Sequence, residues 1–238
     1  MTLSRKLSGL AGVLKQDSSL TEKLFQLARS GSHSLHLSPV LSVERCVVVE
    51  TQEPPKLTRG LSDLIIRRAK DTDVPSISSL DRRDPALFRT RLDRGDLVYL
   101  GELDGKTVCH TCYHRGPTPF AEERRTLVLW ALEDANTFWS YDAWAPVELR
   151  SAGVVAKLFN TSLRELFEVH GARRIRGFIH DWNAPSRILH ERMGFTTLGS
   201  VTAVVFAGLK WIRWDGGGGR SQWVLPRDSD FALPPAIN

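Results

Sequence analysis

The chain has 238 residues, 42 % of them hydrophobic and 25 % charged, the balance of an ordinary globular protein with a sizeable core. Its most apolar run, Val201–Leu209, is about half the roughly 18–20 residues needed to span a bilayer, so a soluble or peripheral protein is expected. The net charge of +5 is uneven: residues 1–40 hold Arg5, Lys6, Lys15, Lys23 and Arg29 against Asp17 and Glu22, which is +3 in that segment and +2 in the rest. A basic arm on a nearly balanced body argues against nucleic-acid binding.

In chain order, Leu3, Leu7, Leu10 and Leu14, then Leu20, Leu24, Leu27 and Ala28, recur at helical spacing and predict two short amphipathic helices. Their apolar faces would dock on the body or make peripheral membrane contact. The start carries no secretory pattern, although its Ser-rich, basic character also suits an organellar transit peptide. Arg45–Glu50 reads as a short strand, and Gln52-Glu53-Pro54-Pro55 as a linker closing an N-terminal extension over 1–60.

The body is expected over 61–215. Leu64–Arg68 reads as a strand, Asp71-Thr72-Asp73 caps a helix through Leu80, and a second helix covers Asp84–Leu92. Strands Leu97–Leu103 and Lys106–Tyr113 flank Asp104-Gly105, the turn chemistry of a two-residue hairpin. Thr137–Trp144 alternates as a strand, and a helix follows from about Ala152 to His170, with Val155, Leu158, Phe159, Leu163, Leu166 and Phe167 on one stripe. Arg174–Ile179 is a strand, Ala184–Met193 a helix, and Thr197–Phe206 and Leu209–Trp214 two more strands. The four glycines from Gly216 to Gly219 read as a flexible loop opening a tail over 216–238, without nucleotide-binding context. The order defines a mixed α/β (α+β) fold around one twisted sheet.

The loop Pro146-Val147-Glu148-Leu149-Arg150-Ser151-Ala152-Gly153-Val154-Val155, between a strand and a helix, resembles the acetyl-CoA loop of the GNAT (N-acetyltransferase) superfamily: Arg or Gln, two free positions, Gly, one free position, Gly or Ala. Arg150 and Gly153 match and Val155 departs. About thirty residues on, Asn183 to Gly194-Phe195 resembles that family's second motif, with His190 where many members carry Tyr. The chain is most similar to bacterial members of unassigned substrate. The resemblance implies the GNAT fold over Leu64–Trp214, a central mixed sheet of six to seven strands flanked by helices, and an acyl-CoA-dependent N-acyltransferase. Acetyl-CoA or another acyl-CoA is the implied co-substrate, with no metal.

A helix start offers unpaired N–H groups and the positive dipole end to an anion such as the pyrophosphate of coenzyme A. On this reading Arg150, Ser151, Ala152, Gly153, Val154 and Val155 hold the cofactor, Gly153 because it has no Cβ, while Val155 either narrows the channel or points into the core. The thioester is implied to lie where the strands Thr137–Trp144 and Arg174–Ile179 splay apart, under backbone N–H groups near Ala143 and Trp144. Acyl transfer to an amine needs an acid and a base near that point. His190 is the candidate acid and Asp142 the candidate base, with His180 and Asp181 as further bases, or a water relay instead. Asn183 and Ser186 are candidate cofactor contacts; the alternative is that Asn183 only caps its helix and His190 only packs.

Cys109-His110-Thr111-Cys112 is weighed as a metal site and rejected, because on a strand its cysteines face opposite ways and Cys46 is remote. Three cysteines imply no disulfide framework, hence a reducing, cytoplasmic setting. Trp139, Trp144 and Trp182 bracket the expected cleft and would line an acceptor pocket or simply pack. The expected reaction is transfer of an acetyl group from acetyl-CoA to a primary amine, a small molecule or a peptide, by direct attack on the thioester. The alternative is a non-catalytic cofactor-binding or regulatory module of the same fold. Dimers are frequent in the family, so a homodimer is among the expected arrangements.

Overall fold

The structure is a computed structural model and describes residues 41–55, 63–116, 120–121, 128–129, 135–150, 153–206, 209–216 and 220–224. The two N-terminal helices read from the sequence, Ser151, Ala152, Trp130 and the chain after 224 lie outside the described residues.

The first strand, β1 (Leu41–Thr51), is followed by β2 (Ile65–Arg68), α1 (Val74–Asp81), α2 (Pro85–Asp93), and the hairpin β3 (Leu97–Leu103) and β4 (Lys106–Arg115). A small ribbon, β5 (Phe120–Ala121) and β6 (Val128–Leu129), stands apart. Then come β7 (Thr137–Trp144), a one-turn helix α3 (Val147–Arg150), α4 (Val154–Glu168), β8 (Arg174–His180), α5 (Ala184–Arg192), β9 (Thr196–Phe206), β10 (Leu209–Gly216) and β11 (Arg220–Val224).

Local chemistry explains most boundaries. Asp104 and Gly105 both have positive φ (50° and 71°), the requirement of the tight turn whose twist matches the flanking strands. Asp84 caps α2 by accepting the Ala86 N–H at 2.9 Å, with Pro85 in the first turn. Asn183 caps α5 by accepting the Ser186 N–H at 3.2 Å.

Among the described residues, nine strands form one sheet in the order β11-β10-β9-β1-β8-β7-β4-β3-β2. The architecture is the expected mixed sheet flanked by helices, with nine strands where six to seven were expected, and two of them lie outside the segment read as the body. One of them, β1, falls in the segment read as an extension, yet sits near the middle of the sheet. It pairs antiparallel with β8 from Cys46–His180 to Thr51–Ile175, and with β9 from Leu41–Phe206 to Glu50–Thr196. The reason is topological. The crossover through α5 sets β8 and β9 parallel but one strand apart, and the open slot exposes two rows of backbone groups that only another strand satisfies. The other addition, β11, pairs with β10 beyond the glycine run.

Alternation along the strands makes two cores. Val48, Val98, Leu100, Cys112, Trp139 and Tyr141 pack with Val74 and Ile77 of α1 and Phe88 of α2 on one face. On the other, Val49, Tyr99, Cys109, Tyr113, Phe138 and Ile175 pack with Leu158, Phe159, Leu163 and Leu166 of α4. Cys109 and Cys112 thus face opposite ways, as their spacing on a strand requires, and burial pushes both thiols up to about 12.

Candidate functional site

Strands β7 and β8 pair in parallel from Thr137–Arg174 to Ser140–Gly177 and no further. Beyond that point the two strands form the sides of an opening cleft. On its far side β7 pairs with β4, but the register shifts between His110–Trp144 and Cys112–Tyr141. Asp142 and Ala143 on β7 therefore oppose Thr111 alone, a bulge in which Asp142 takes φ +55°. Asp is one of the few side chains that tolerates that conformation. The bulge interrupts the β4 ladder next to Ala143 and Trp144, at the end of β7 where the oxyanion-binding N–H groups are expected.

The chain leaves β7 through Ala145 and Pro146 into α3, and α4 starts at Gly153, whose φ is +80°. Gly153 is the N-cap and supplies no side-chain acceptor, so the first-turn N–H groups of α4 have no side-chain cap. The Nε–H of Arg150 donates to the Ala145 carbonyl at 2.8 Å, which ties the exposed guanidinium to the loop. Val154 is fully buried, and Val155 is half-buried against the α4 core. The departure at Val155 is thus a packing contact rather than a residue projecting freely into the loop.

Asp142 does not have the surroundings of a base. Its carboxylate accepts from both Arg83 and Arg91, and all three side chains are at most 6 % exposed. Burial alone would raise its pKa, but Arg83, Arg91 and nearby His110 more than offset this and hold it at about 2. A carboxylate that acidic is a poor proton acceptor at neutral pH. It belongs to a buried network in which Arg83 meets Asp81 at 2.5 Å and Arg91 lies over the rings of Phe88 (5.1 Å) and Tyr141 (5.0 Å). An adjoining cluster centres on Asp96, which binds His114 at 2.6 Å, Arg94 at 2.5 Å and the Tyr141 hydroxyl. Glu44, Arg83, Arg91 and Asp96 were missed in the sequence. The available signal was charge at positions facing the core, such as Arg91 three residues after Phe88 on α2 and Glu44 in register with Cys46 and Val48 on β1.

His190 is 6 % exposed and wedged between the rings of Phe159 (5.2 Å) and Phe195 (4.9 Å). Its Nδ1 donates to the Ser186 carbonyl at 2.7 Å, since a carbonyl only accepts. Burial lowers its pKa, and the Ser186 carbonyl raises it only in part. The ring is therefore neutral at pH 7 and carries no proton suited to an acid, which favours the packing reading over the acid reading. Asn183 and Ser186 are likewise engaged in the first turn of α5.

The two lips of the cleft are aromatic. Trp144 on β7 stacks on His110 at 6.4 Å, and Trp182, 60 % exposed, stacks on His180 at 5.1 Å. Trp139, the third tryptophan read as cleft-lining, is buried and stacked on Phe178 at 4.6 Å, a core residue instead. His180 ends β8 beside Glu44 (3.6 Å) and Cys46 (3.7 Å) of β1, and the Asp181 N–H donates to the Arg45 carbonyl at 3.1 Å. A concavity of about 320 Å³ lined by Glu50, Gln52, Pro54, Met193 and Gly194 lies at the opposite end of β1 from this mouth. It brings together none of the candidate residues.

No protein-family model matches the chain, and no curated protein matches it. Solved structures do. One is a GNAT-family protein from Novosphingobium aromaticivorans, 14 % identical, with 71 % of this chain and 68 % of that one covered at a TM-score of 0.51. Another is a conserved protein of unknown function from Staphylococcus epidermidis, 7 % identical, with 81 % and 69 % covered at a TM-score of 0.50. At such identities the likeness concerns the fold alone, and the fold is that of the GNAT N-acetyltransferases. Among the described residues no helix is long and apolar enough to cross a membrane.

Proposed function

We propose that the protein is an acyl-CoA-dependent N-acyltransferase that moves an acetyl group from acetyl-CoA to a primary amine. The observation that carries this reading is the parallel β7–β8 pair that parts after Ser140 and Gly177, with a bulge at Asp142–Ala143 on one lip and the uncapped start of α4 directly downstream. The pyrophosphate is held by the first-turn N–H groups at Gly153, Val154 and Val155 with Ser151 and Ala152, and Arg150 adds a charge at the loop mouth. The pantetheine arm runs into the cleft past Asn183 and Ser186.

In the reaction the neutral amine attacks the thioester carbonyl carbon directly. The developing oxyanion is met by backbone N–H groups at Ala143 and Trp144, and donors carried on a strand backbone need little reorganisation. Collapse of the tetrahedral intermediate forms the amide and releases coenzyme A as thiolate. Water carries the amine proton away, because Asp142 is committed to two guanidinium groups and His190 is buried and neutral. Asp142 is a positioning residue that holds the bulge through Arg83 and Arg91. The exposed indole of Trp182 and the ring of Trp144 offer the acceptor an apolar surface.

The test is calorimetric titration with acetyl-CoA of the wild type, Gly153→Ala and Gly153→Glu. Both variants strain the same positive φ, so Gly153→Ala accounts for the strain and the difference between them reports the longer, charged side chain. Binding to the wild type and to Gly153→Ala but not to Gly153→Glu supports the site; no binding of acetyl-CoA or longer acyl-CoA to any of them refutes the reading. A second reading, a cofactor-binding module without turnover, is favoured by the absence of a poised acid or base at Asp142 and His190. It predicts the same titration but no release of coenzyme A with any amine.

A further inference from the structure

Outside the acyl-transfer machinery, one group of side chains has the composition and spacing of a metal site. Glu44 and Cys46 project from the same face of β1, and His180, the last residue of β8, is the ladder partner of Cys46. The three donor atoms form a nearly equilateral triangle: Glu44 Oε1 to Cys46 Sγ is 3.8 Å, Cys46 Sγ to His180 Nδ1 is 3.7 Å, and His180 Nδ1 to Glu44 Oε1 is 3.6 Å. A carboxylate oxygen, a thiol sulfur and an imidazole nitrogen are the donors that zinc takes.

The spacing is the quantitative point. Zinc ligands lie about 2.0–2.3 Å from the ion, so neighbouring donors around a tetrahedral ion are about 3.3–3.6 Å apart. The observed edges are within about 0.3 Å of those values. The point equidistant from the three atoms lies about 2.1 Å from each, and a shift of about 0.2 Å within their plane, away from the sulfur, brings every contact into the zinc range. As a hydrogen-bonded cluster the same arrangement is loose, because an N–H to carboxylate bond closes to about 2.7–2.9 Å rather than 3.6 Å.

A second group, His110, Cys112 and Asp142, also brings ligand atoms of the right kinds together. There the carboxylate already faces the guanidinium groups of Arg83 and Arg91, and two fixed positive charges exclude a third. Glu44, Cys46 and His180 lie on the other side of the cleft mouth.

We propose that Glu44, Cys46 and His180 bind a divalent zinc-class cation with one coordination position left for water or an exchangeable ligand. Binding converts the Cys46 thiol to a thiolate and releases its proton to solvent. The ion ties β1, which enters the sheet from far away in sequence, to the tip of β8 where the cleft opens, so it would brace that lip. Nothing in this inference depends on the acyl-transfer reading.

The test uses the full chain, freed of metal by a chelator and titrated with Co²⁺ as a spectroscopic stand-in for zinc. One equivalent is expected to produce a thiolate-to-cobalt charge-transfer band and the intense visible bands of tetrahedral cobalt, both removed when Zn²⁺ displaces the probe. Cys46→Ser is expected to abolish the charge-transfer band, and His180→Gln and Glu44→Gln to weaken Co²⁺ binding about 10-fold or more. Because Cys46 is fully buried and its replacement can harm folding, Glu44→Gln, nearly isosteric and partly exposed, keeps the test decisive. Cys109→Ala, on the opposite face of the sheet, should leave the spectrum unchanged. A folded wild type that gives no cobalt spectrum, or a spectrum that survives Glu44→Gln and Cys46→Ser but is lost in Cys109→Ala, overturns the proposal.

Discussion

Replacing Asp142 by Asn separates charge from shape at the centre of the site. Asn is almost isosteric and also tolerates the φ of +55° at this position, so the bulge keeps its backbone while the carboxylate charge disappears. Arg91, 1 % exposed, then faces a neutral amide, while Arg83, 5 % exposed, keeps Asp81 as a carboxylate partner. Breaking a buried ion pair from one side costs about 3–5 kcal/mol, and for a chain of this size each kcal/mol lowers the melting temperature by about 2–4 °C. A drop of roughly 6–20 °C is therefore expected at neutral pH. The pH dependence is the sharper readout. The Asp142 carboxyl is held at about 2 against an ordinary 3.8, a depressed value, so its contribution is complete above the ordinary value and is lost as the pH falls towards 2. A difference of nearly two units corresponds to about 2–3 kcal/mol. Other buried carboxyls such as Asp96 are shared by both proteins and cancel in the comparison. Denaturant unfolding of wild type and variant at several pH values between about 7 and 2 should show the stability gap narrowing by that amount in the acid range. A gap that stays constant with pH, or a melting temperature within about 2 °C of wild type, would refute the assignment of Asp142 as an ion-paired anchor.

Other consequences are as direct. A chain starting at residue 61 should fail to give a dispersed amide NMR spectrum, because it leaves β8 and β9 without β1 between them; a native-like spectrum would mean that β1 is dispensable. Gly101→Ala puts a methyl 2.5 Å from Cys109 Sγ and should cost about 1–3 kcal/mol, with Cys109→Ala in the same chain recovering part of the loss; equal melting temperatures for wild type and Gly101→Ala would contradict the close packing of β3 on β4. His190 has a pKa lowered below the ordinary 6.5 by burial, so its neutral form stabilises the fold fully above 6.5 and that contribution is lost as the pH falls through the lower folded value. Titration of the ring by NMR should therefore show a midpoint below 6.5, and a midpoint above it would return His190 to the role of acid.

Much of the architecture was legible because it is local. The Asp104-Gly105 turn, the Asp84 and Asn183 caps and the apolar stripe of α4 are each dictated by residues within a few positions of one another, and the boundaries read from them agree with the structure to within about two residues. The start of α4, read at about Ala152, falls at Val154 with Gly153 as its N-cap. What the sequence could not assign was partnership across the sheet. Arg45–Glu50 reads as a strand from its own residues, but its place between β8 and β9 follows from a vacancy created by residues 174–206. The same limit applies to side chains. Asp142 looked like a base because its strand and position were readable, whereas Arg83 and Arg91, 59 and 51 residues away, decide that it is not one. The order of the elements and their caps was thus written in neighbouring residues, while burial and pairing of charge, on which every pKa in the site depends, came only with the tertiary structure, because desolvation and Coulomb interaction depend on distance in space and not along the chain.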